Sequence, residues 1–251
     1  MQHCDLAEKP IITIAGENAL IIYFTDTADS NSSFKVQQSE RIIRQKMQCE
    51  LSEDIIDIIP SYASILVVFN LLTTDHHRVR NKLRVLLNLT DNSYQITNQK
   101  NHKSVVELPV YYSRETGPDL NTIATRHNIS IEQVIKLHQS TEYDVYAIGF
   151  APGFAYLGEV DEKIATPRLS TPRLKVPKGA VAIADKQTAV YPNTSPGGWN
   201  IIGLCPLNMF DINATTIMPI AVGDKVRFKA ITKSEFLALG GSLTELHGGI
   251  S

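Results

Sequence analysis

Gly149-Phe150-Ala151-Pro152-Gly153-Phe154-Ala155-Tyr156-Leu157-Gly158 opens the part of the chain whose reading decides the fold. Between Gly149 and Gly203 the chain places 7 of its 14 glycines, 6 of its 12 prolines and its only tryptophan, Trp199. Glycine permits φ > 0 and close backbone approach, and proline fixes φ near −65°. A segment dense in both is a surface of shaped turns carried by something rigid, and such loops are where binding groups sit. The rigid part is legible on either side. Tyr143–Phe150 reads as a strand running into the loop. Ala180–Ala184, Thr188–Tyr191, Trp199–Leu204, Met209–Ile212 and Lys225–Ala230 read as further short strands. Many short strands with Gly/Pro turns predict a barrel or sandwich.

Upstream, Asp119 after Gly117-Pro118 is expected to cap a helix over Leu120–His127. Ser130 with Gln133 forms a capping box before Val134, Ile135 and Leu137. Thr232 with Glu235 opens a last short helix, Phe236–Leu239. The first half of the chain has a different pattern. An opening hairpin (Ile11–Ile14, Ala19–Phe24) precedes a helix capped at Ser32 or Ser33 and running to about Gln48. Strands at Ile55–Ile59 and Ile65–Phe69, a helix capped by Asp75 and a strand at Val105–Val110 follow. Strand, helix, strand, strand, helix, strand is the order of a ferredoxin-like split-βαβ domain. The division expected is residues 1–90 for this α+β domain, a polar linker over 91–104, and a barrel over 105–251.

Composition excludes several classes. The 251 residues are 43% hydrophobic and 20% charged, with a net charge of −2 and a pI near 6.4. No basic field suggests nucleic acid, and the longest apolar run, Ile65–Phe69, is far short of the ~20 residues of a membrane span. Cys4, Cys49 and Cys205 have neither disulfide nor metal spacing, and Asp5, Glu8 and Lys9 do not follow the order of a signal peptide. The expectation is a soluble cytoplasmic protein with no metal site of its own.

No Walker loop, dinucleotide fingerprint, zinc-protease helix, C-x-x-C or nucleophile elbow is present in the sequence. What remains is polar chemistry in the glycine-rich half. Thr166-Pro167-Arg168 and Thr171-Pro172-Arg173 repeat with a period of five, followed by Lys175 and Lys178. Arginines fixed beside prolines suit a carboxylate or phosphate. In an extended segment at ~3.1 Å per residue, however, their Cα atoms lie roughly 15 Å apart, so one small anion meets both only if the loop doubles back. Gln187, Tyr191 and Trp199 supply amide, phenol and indole groups. Phe150, Phe154 and Tyr156 supply an apolar wall. For Trp199 and Tyr191 the competing reading is a core aromatic with one satisfied polar atom. His138, at a helix end, reads as a partner of the helix dipole sooner than as a catalytic base.

Read together, Gly149–Gly158, the two Thr-Pro-Arg steps, Val176-Pro177, Gln187-Thr188, Tyr191-Pro192 and Ser195-Pro196-Gly197-Gly198-Trp199 resemble the family of the bacterial 5-oxoprolinase B subunits. That family is also known as allophanate hydrolase subunit 1, carboxyltransferase subdomain C, or the Kip-type kinase inhibitor. Gly117-Pro118-Asp119-Leu120, Leu137-His138 and Pro60-Ser61-Tyr62 extend the likeness over nearly the whole chain. Leu204 and Cys205 stand where the family carries a basic residue and Thr, and Ala189 where it carries Gly. The resemblance implies a cyclophilin-like β-barrel after the α+β domain. It also implies the A and C subunits of 5-oxoprolinase as partners, and ATP with magnesium used by the complex to open 5-oxoproline to L-glutamate. Arg168, Arg173 and Lys178 are then the charges available, with Arg168, Arg173 and His138 the candidates for a catalytic role. Phe150, Phe154, Tyr156, Gln187, Tyr191 and Trp199 would line the substrate pocket. The alternatives it carries are inhibition of a sensor histidine kinase, or action on another small amide such as allophanate.

Overall fold

The computed structural model describes residues 10–25, 30–49, 51–87 and 105–243. The chain divides into two compact units, residues 1–101 and 102–251. In the first, strands β1 (Ile11–Ile14), β2 (Ala19–Tyr23), β3 (Ile55–Pro60) and β4 (Ser64–Phe69) form one sheet in the order β1-β2-β4-β3, every pair antiparallel. Alternate residues of a strand share a face. Leu20, Ile22, Ile65, Val67 and Phe69 therefore meet Val36 and Ile43 of helix α1 (Ser30–Met47) and Val79 and Leu83 of helix α2 (His76–Leu86). Because β4 lies between β2 and β3, the β2-α1-β3 connection is split, as the sequence order implies.

The predicted ferredoxin order is not completed by Val105–Val110. That strand, β5, pairs in parallel with β13 (Lys225–Ala230) in the second unit, and β1 occupies the place beside β2. Element order along a chain does not say which sheet a strand joins, and only its long-range partner does. Two capping expectations at the helices also separate. Asp75 caps α2, its carboxylate accepting from the N–H groups of His77 and Arg78 at 2.8 and 3.0 Å. Ser32 and Ser33 instead lie within α1, which starts at Ser30, and both are buried. The linker expected at 91–104 falls outside the described residues.

The second unit is a nearly closed barrel. Strands β6 (Tyr143–Ile148), β7 (Ala155–Gly158), β9 (Ala180–Ala184), β10 (Gln187–Val190) and β12 (Asn200–Leu204) join β5 and β13 in the order β12-β9-β10-β7-β6-β13-β5. The open edges approach where Tyr111, just past β5, exchanges backbone hydrogen bonds with Leu204 at 2.8 and 3.1 Å. This agrees with the barrel expected from the sequence. Leu108, Val145, Leu157, Val181, Ile183, Val190, Ile202, Val226 and Phe228 form the larger core. Leu120 and Ile123 of α3 (Leu120–His127) and Val134 of α4 (Ile131–Ser140) join it. The capping boxes at Ser130/Gln133 and Thr232/Glu235 are both formed, the latter opening α5 (Lys233–Ala238). Met209–Ile212, expected as a strand, is irregular and joins no sheet.

The glycine-rich stretch is the hairpin turn between β6 and β7. Gly149 donates to the Phe154 carbonyl at 3.0 Å, and Phe154 donates to that of Ala151 at 2.9 Å. Gly153, at φ +82°, has the Met209 carbonyl oxygen 2.5 Å from where a Cβ would stand, so only glycine fits. The second half of the stretch, Ala155–Gly158, is strand and not loop.

Candidate functional site

Along β9 and β10 the residues that turn away from the larger core are small: Ala180, Ala182, Ala184 and Ala189. They pack with a layer of large rings, Phe154, Tyr191 and Trp199, each nearly buried, with Tyr156 half-buried at its margin. Phe154, delivered by the β6–β7 turn, is the hub. Its centroid lies 4.9 Å from Tyr156, 5.2 Å from Tyr191 and 5.7 Å from Trp199, at interplanar angles of 64°, 86° and 88°. Edge-to-face contacts of this kind contribute about 0.5–1.5 kcal/mol each beyond the area they bury. Phe150 stands apart: 69% exposed, at φ +72°, with its ring 5.3 Å from Phe154. Thus Trp199 and Tyr191 are core aromatics, the competing reading drawn from the sequence, and the layer meets solvent through Phe150 and Tyr156.

Two arginines reach this layer, and their situations differ. The Arg168 guanidinium lies 5.6 Å from the centre of the Trp199 ring. It is exposed and has no carboxylate partner among the described residues. Its backbone is held on both sides. Asn200 Nδ2 donates to the Pro167 carbonyl at 2.9 Å and to that of Ile183 at 3.1 Å, and Leu169 donates to the Gly198 carbonyl at 2.7 Å. Arg173, at the start of β8 (Arg173–Val176), is latched instead. Its Nη2 meets Asp119 Oδ1 at 2.7 Å, with Arg173 17% and Asp119 8% exposed, and its Nη1 reaches the Trp199 carbonyl at 3.5 Å. β8 pairs with β11 (Ser195–Gly197) in a separate two-stranded ribbon.

Asp119 is the residue the sequence misplaces. It precedes α3 but makes no side-chain cap there. Its second oxygen accepts from the Ile201 N–H at 2.6 Å, so it ties the start of α3 to β12 and to Arg173. Nothing local in the sequence distinguishes this from a cap, because the partner lies 54 residues away. The extended-loop distance between the arginines does not apply either. The loop turns back, and both guanidinium charges act on the Tyr191 hydroxyl. Burial pushes that hydroxyl up to about 12 against their pull, so it stays protonated at neutral pH and can donate.

The other sequence-predicted residues do not converge on this layer. Lys178 is exposed between β8 and β9. Gln187 stands at the far end of β10, about 13 Å along the strand from Tyr191 at ~3.3 Å per residue. His138 is neither a dipole partner nor an exposed base. It is fully buried in the second unit, stacked on Phe228 at 4.4 Å. Thr188 Oγ1 gives its proton to the Ala182 carbonyl at 3.0 Å, so it accepts from His138 Nε2–H at 2.9 Å. Nδ1 then accepts from the Tyr112 hydroxyl at 2.7 Å. Burial lowers the imidazole to about 3, which removes the charge a helix-dipole partner needs. Leu204 and Cys205 are core residues, and burial pushes the Cys205 thiol up to about 12. No basic side chain acts from those two positions.

Among the described residues no group of three His, Cys, Asp or Glu is placed to hold a metal ion. No helix among them is long and apolar enough to cross a membrane.

Comparison with known proteins agrees with the resemblance drawn from the motifs. Residues 10–220 match the family model for the carboxyltransferase domain, subdomain C and D. The 5-oxoprolinase B subunit of Bacillus subtilis (strain 168) is 32% identical over 233 residues, covering 89% of this chain and 93% of that protein. That of Escherichia coli O157:H7 is 46% identical over 123 residues, 49% of this chain and 56% of that protein. The crystal structure of TTHA0988 superposes with a TM-score of 0.72 at 30% identity over 85% of this chain. The match spans 40% of TTHA0988, a much longer chain.

Proposed function

Since the chain belongs to the family of 5-oxoprolinase B subunits, built on a carboxyltransferase domain of the subdomain C and D type, we propose that it serves as the B subunit of an ATP-dependent 5-oxoprolinase. In this reading it joins the A and C subunits in opening 5-oxoproline to L-glutamate. The observation that carries the proposal is the exposed Arg168 guanidinium lying 5.6 Å from the centre of the Trp199 ring, with no carboxylate partner among the described residues. 5-Oxoproline is a small flat ring with one carboxylate and one amide. An exposed guanidinium on an aromatic face offers a fork for the carboxylate and a surface for the ring.

The lactam carbonyl is a poor electrophile, and phosphorylation of its oxygen is what ATP supplies when bound. The donor set of this chain does not fit a triphosphate: Arg173 is taken by Asp119, Lys178 is exposed and no metal cluster exists among the described residues. In this reading the nucleotide and its magnesium belong to the assembled complex. What this chain does is bind and orient. Arg168 takes the carboxylate, and exposed Phe150 with half-buried Tyr156 presents the ring-binding surface over the buried layer of Phe154, Tyr191 and Trp199. None of these groups is a base at neutral pH and His138 is sealed inside the unit, so the part given to them is binding and not proton abstraction. The test is co-expression with the A and C subunits and measurement of glutamate and ADP released from 5-oxoproline. A complete, stable complex that releases neither refutes the assignment.

A further inference from the structure

The two arginines that reach Trp199 differ by one carboxylate: Arg173, 3.5 Å from its carbonyl, has Asp119 at 2.7 Å, and Arg168, 5.6 Å from its ring centre, has no acidic partner among the described residues. Lys175 and Lys178 are exposed. The surface over Trp199 therefore presents one unpaired positive charge where the sequence supplies two. We infer that Asp119 sets the charge selectivity of this surface: by holding Arg173 as a neutral pair it makes the surface a reader of monocarboxylates and a poor holder of dicarboxylates.

The inference rests on the function proposed above and deepens it. 5-Oxoproline carries one carboxylate and a neutral amide, whereas the glutamate formed from it carries two carboxylates. A surface with two free guanidinium groups would retain the product through its second carboxylate. With one group latched, the second carboxylate of the product gains nothing, and release is favoured. The latch is also well built for the task. Asp119 accepts from both Arg173 and the Ile201 N–H, so its carboxylate cannot swing toward Arg168 without leaving a buried donor unpaired.

Trp199 is the only tryptophan in the chain and lies under Arg168, so its fluorescence reports occupancy directly. The full chain is titrated at fixed ionic strength and pH 7.5 with 5-oxoproline and with glutarate, a two-carboxylate probe. In the wild type glutarate binds no more tightly than 5-oxoproline. In Asp119→Asn the affinity for glutarate relative to 5-oxoproline rises on the order of tenfold, the effect of one added unit charge a few ångströms away at intermediate dielectric. In the Asp119→Asn/Arg173→Gln double variant, where both charges of the pair are gone, the ratio returns to the wild-type value. A merely structural role for Asp119 would weaken both ligands in parallel and leave the ratio alone, and that result in a folded Asp119→Asn protein overturns the inference. Should Asp119→Asn not fold, Arg173→Gln carries the test, because it leaves Asp119 unpaired and must weaken glutarate several-fold more than 5-oxoproline. Parallel weakening there overturns it equally, as does a wild type whose fluorescence responds to neither ligand. Absence of turnover in the reconstituted complex speaks instead against the proposed function and leaves this ratio measurable on the chain alone.

Discussion

Replacing His138 with glutamine removes a titrating group from the interior of the second unit, and the acid response of the fold changes by an amount the burial determines. In the unfolded chain the imidazole titrates at 6.5, and in the folded chain burial lowers it to about 3. Between those values the unfolded chain binds a proton that the folded chain refuses. The stability held in the neutral ring is therefore complete above pH 6.5 and is lost as pH falls toward 3. At about 1.4 kcal/mol per pH unit the loss is about 3 kcal/mol by pH 4.5 and about 5 kcal/mol by pH 3. Glutamine offers an acceptor to the Tyr112 hydroxyl and a donor to Thr188 Oγ1, the two roles His138 fills, but it does not titrate. Urea unfolding followed by Trp199 fluorescence at pH 7.5, 5.5 and 4.5 measures the difference. The wild type should lose about 3 kcal/mol more than His138→Gln between pH 7.5 and 4.5. Equal slopes in the two proteins would mean that the imidazole protonates in place, and the closed network derived above would be wrong.

Three further outcomes follow from the geometry. A Cβ at Gly197 would stand 2.3 Å from the Tyr191 hydroxyl oxygen, inside a packed layer. Gly197→Ala should then cost about 1–3 kcal/mol in urea unfolding by overpacking. Asn200→Ala frees the Pro167 and Ile183 carbonyls and should raise KM for 5-oxoproline in the assembled complex several-fold with little change in kcat, since it loosens Arg168 without touching the reacting atoms. Cys205, buried and with its thiol pushed up to about 12, should resist a thiol reagent until the protein is unfolded, whereas exposed Cys49 reacts in the folded state. Mass mapping of the labelled peptides separates the two.

What was legible in the sequence was local. The capping boxes at Ser130 and Thr232 and the Asp75 cap depend on neighbours a few residues away, and each forms as read. Most of the family motifs lie in the barrel unit, with Pro60-Ser61-Tyr62 in the first unit. What was not legible depends on long-range pairing. Val105–Val110 reads the same whether it joins the first sheet or the second, and only its register against Lys225–Ala230 decides. Asp119 reads as a cap because its true partner is Arg173. His138 reads as a helix-dipole partner because the residues that seal it, Tyr112, Thr188 and Phe228, lie on three other segments of the chain. The two arginines looked too far apart because the backbone hydrogen bond from Leu169 to Gly198, which turns the loop back, leaves no local signature.

The most direct test of the whole account is the KM for 5-oxoproline of a complex assembled with Arg168→Gln. Arg168 is exposed and bears no buried ion pair, so the substitution leaves the fold intact. A lost charge-assisted bond to a carboxylate is worth about 1.5–3 kcal/mol, which predicts a rise in KM of roughly ten- to a hundredfold with the complex still assembled. An unchanged KM in an intact, active complex would place the carboxylate elsewhere and contradict the reading of the Arg168–Trp199 surface.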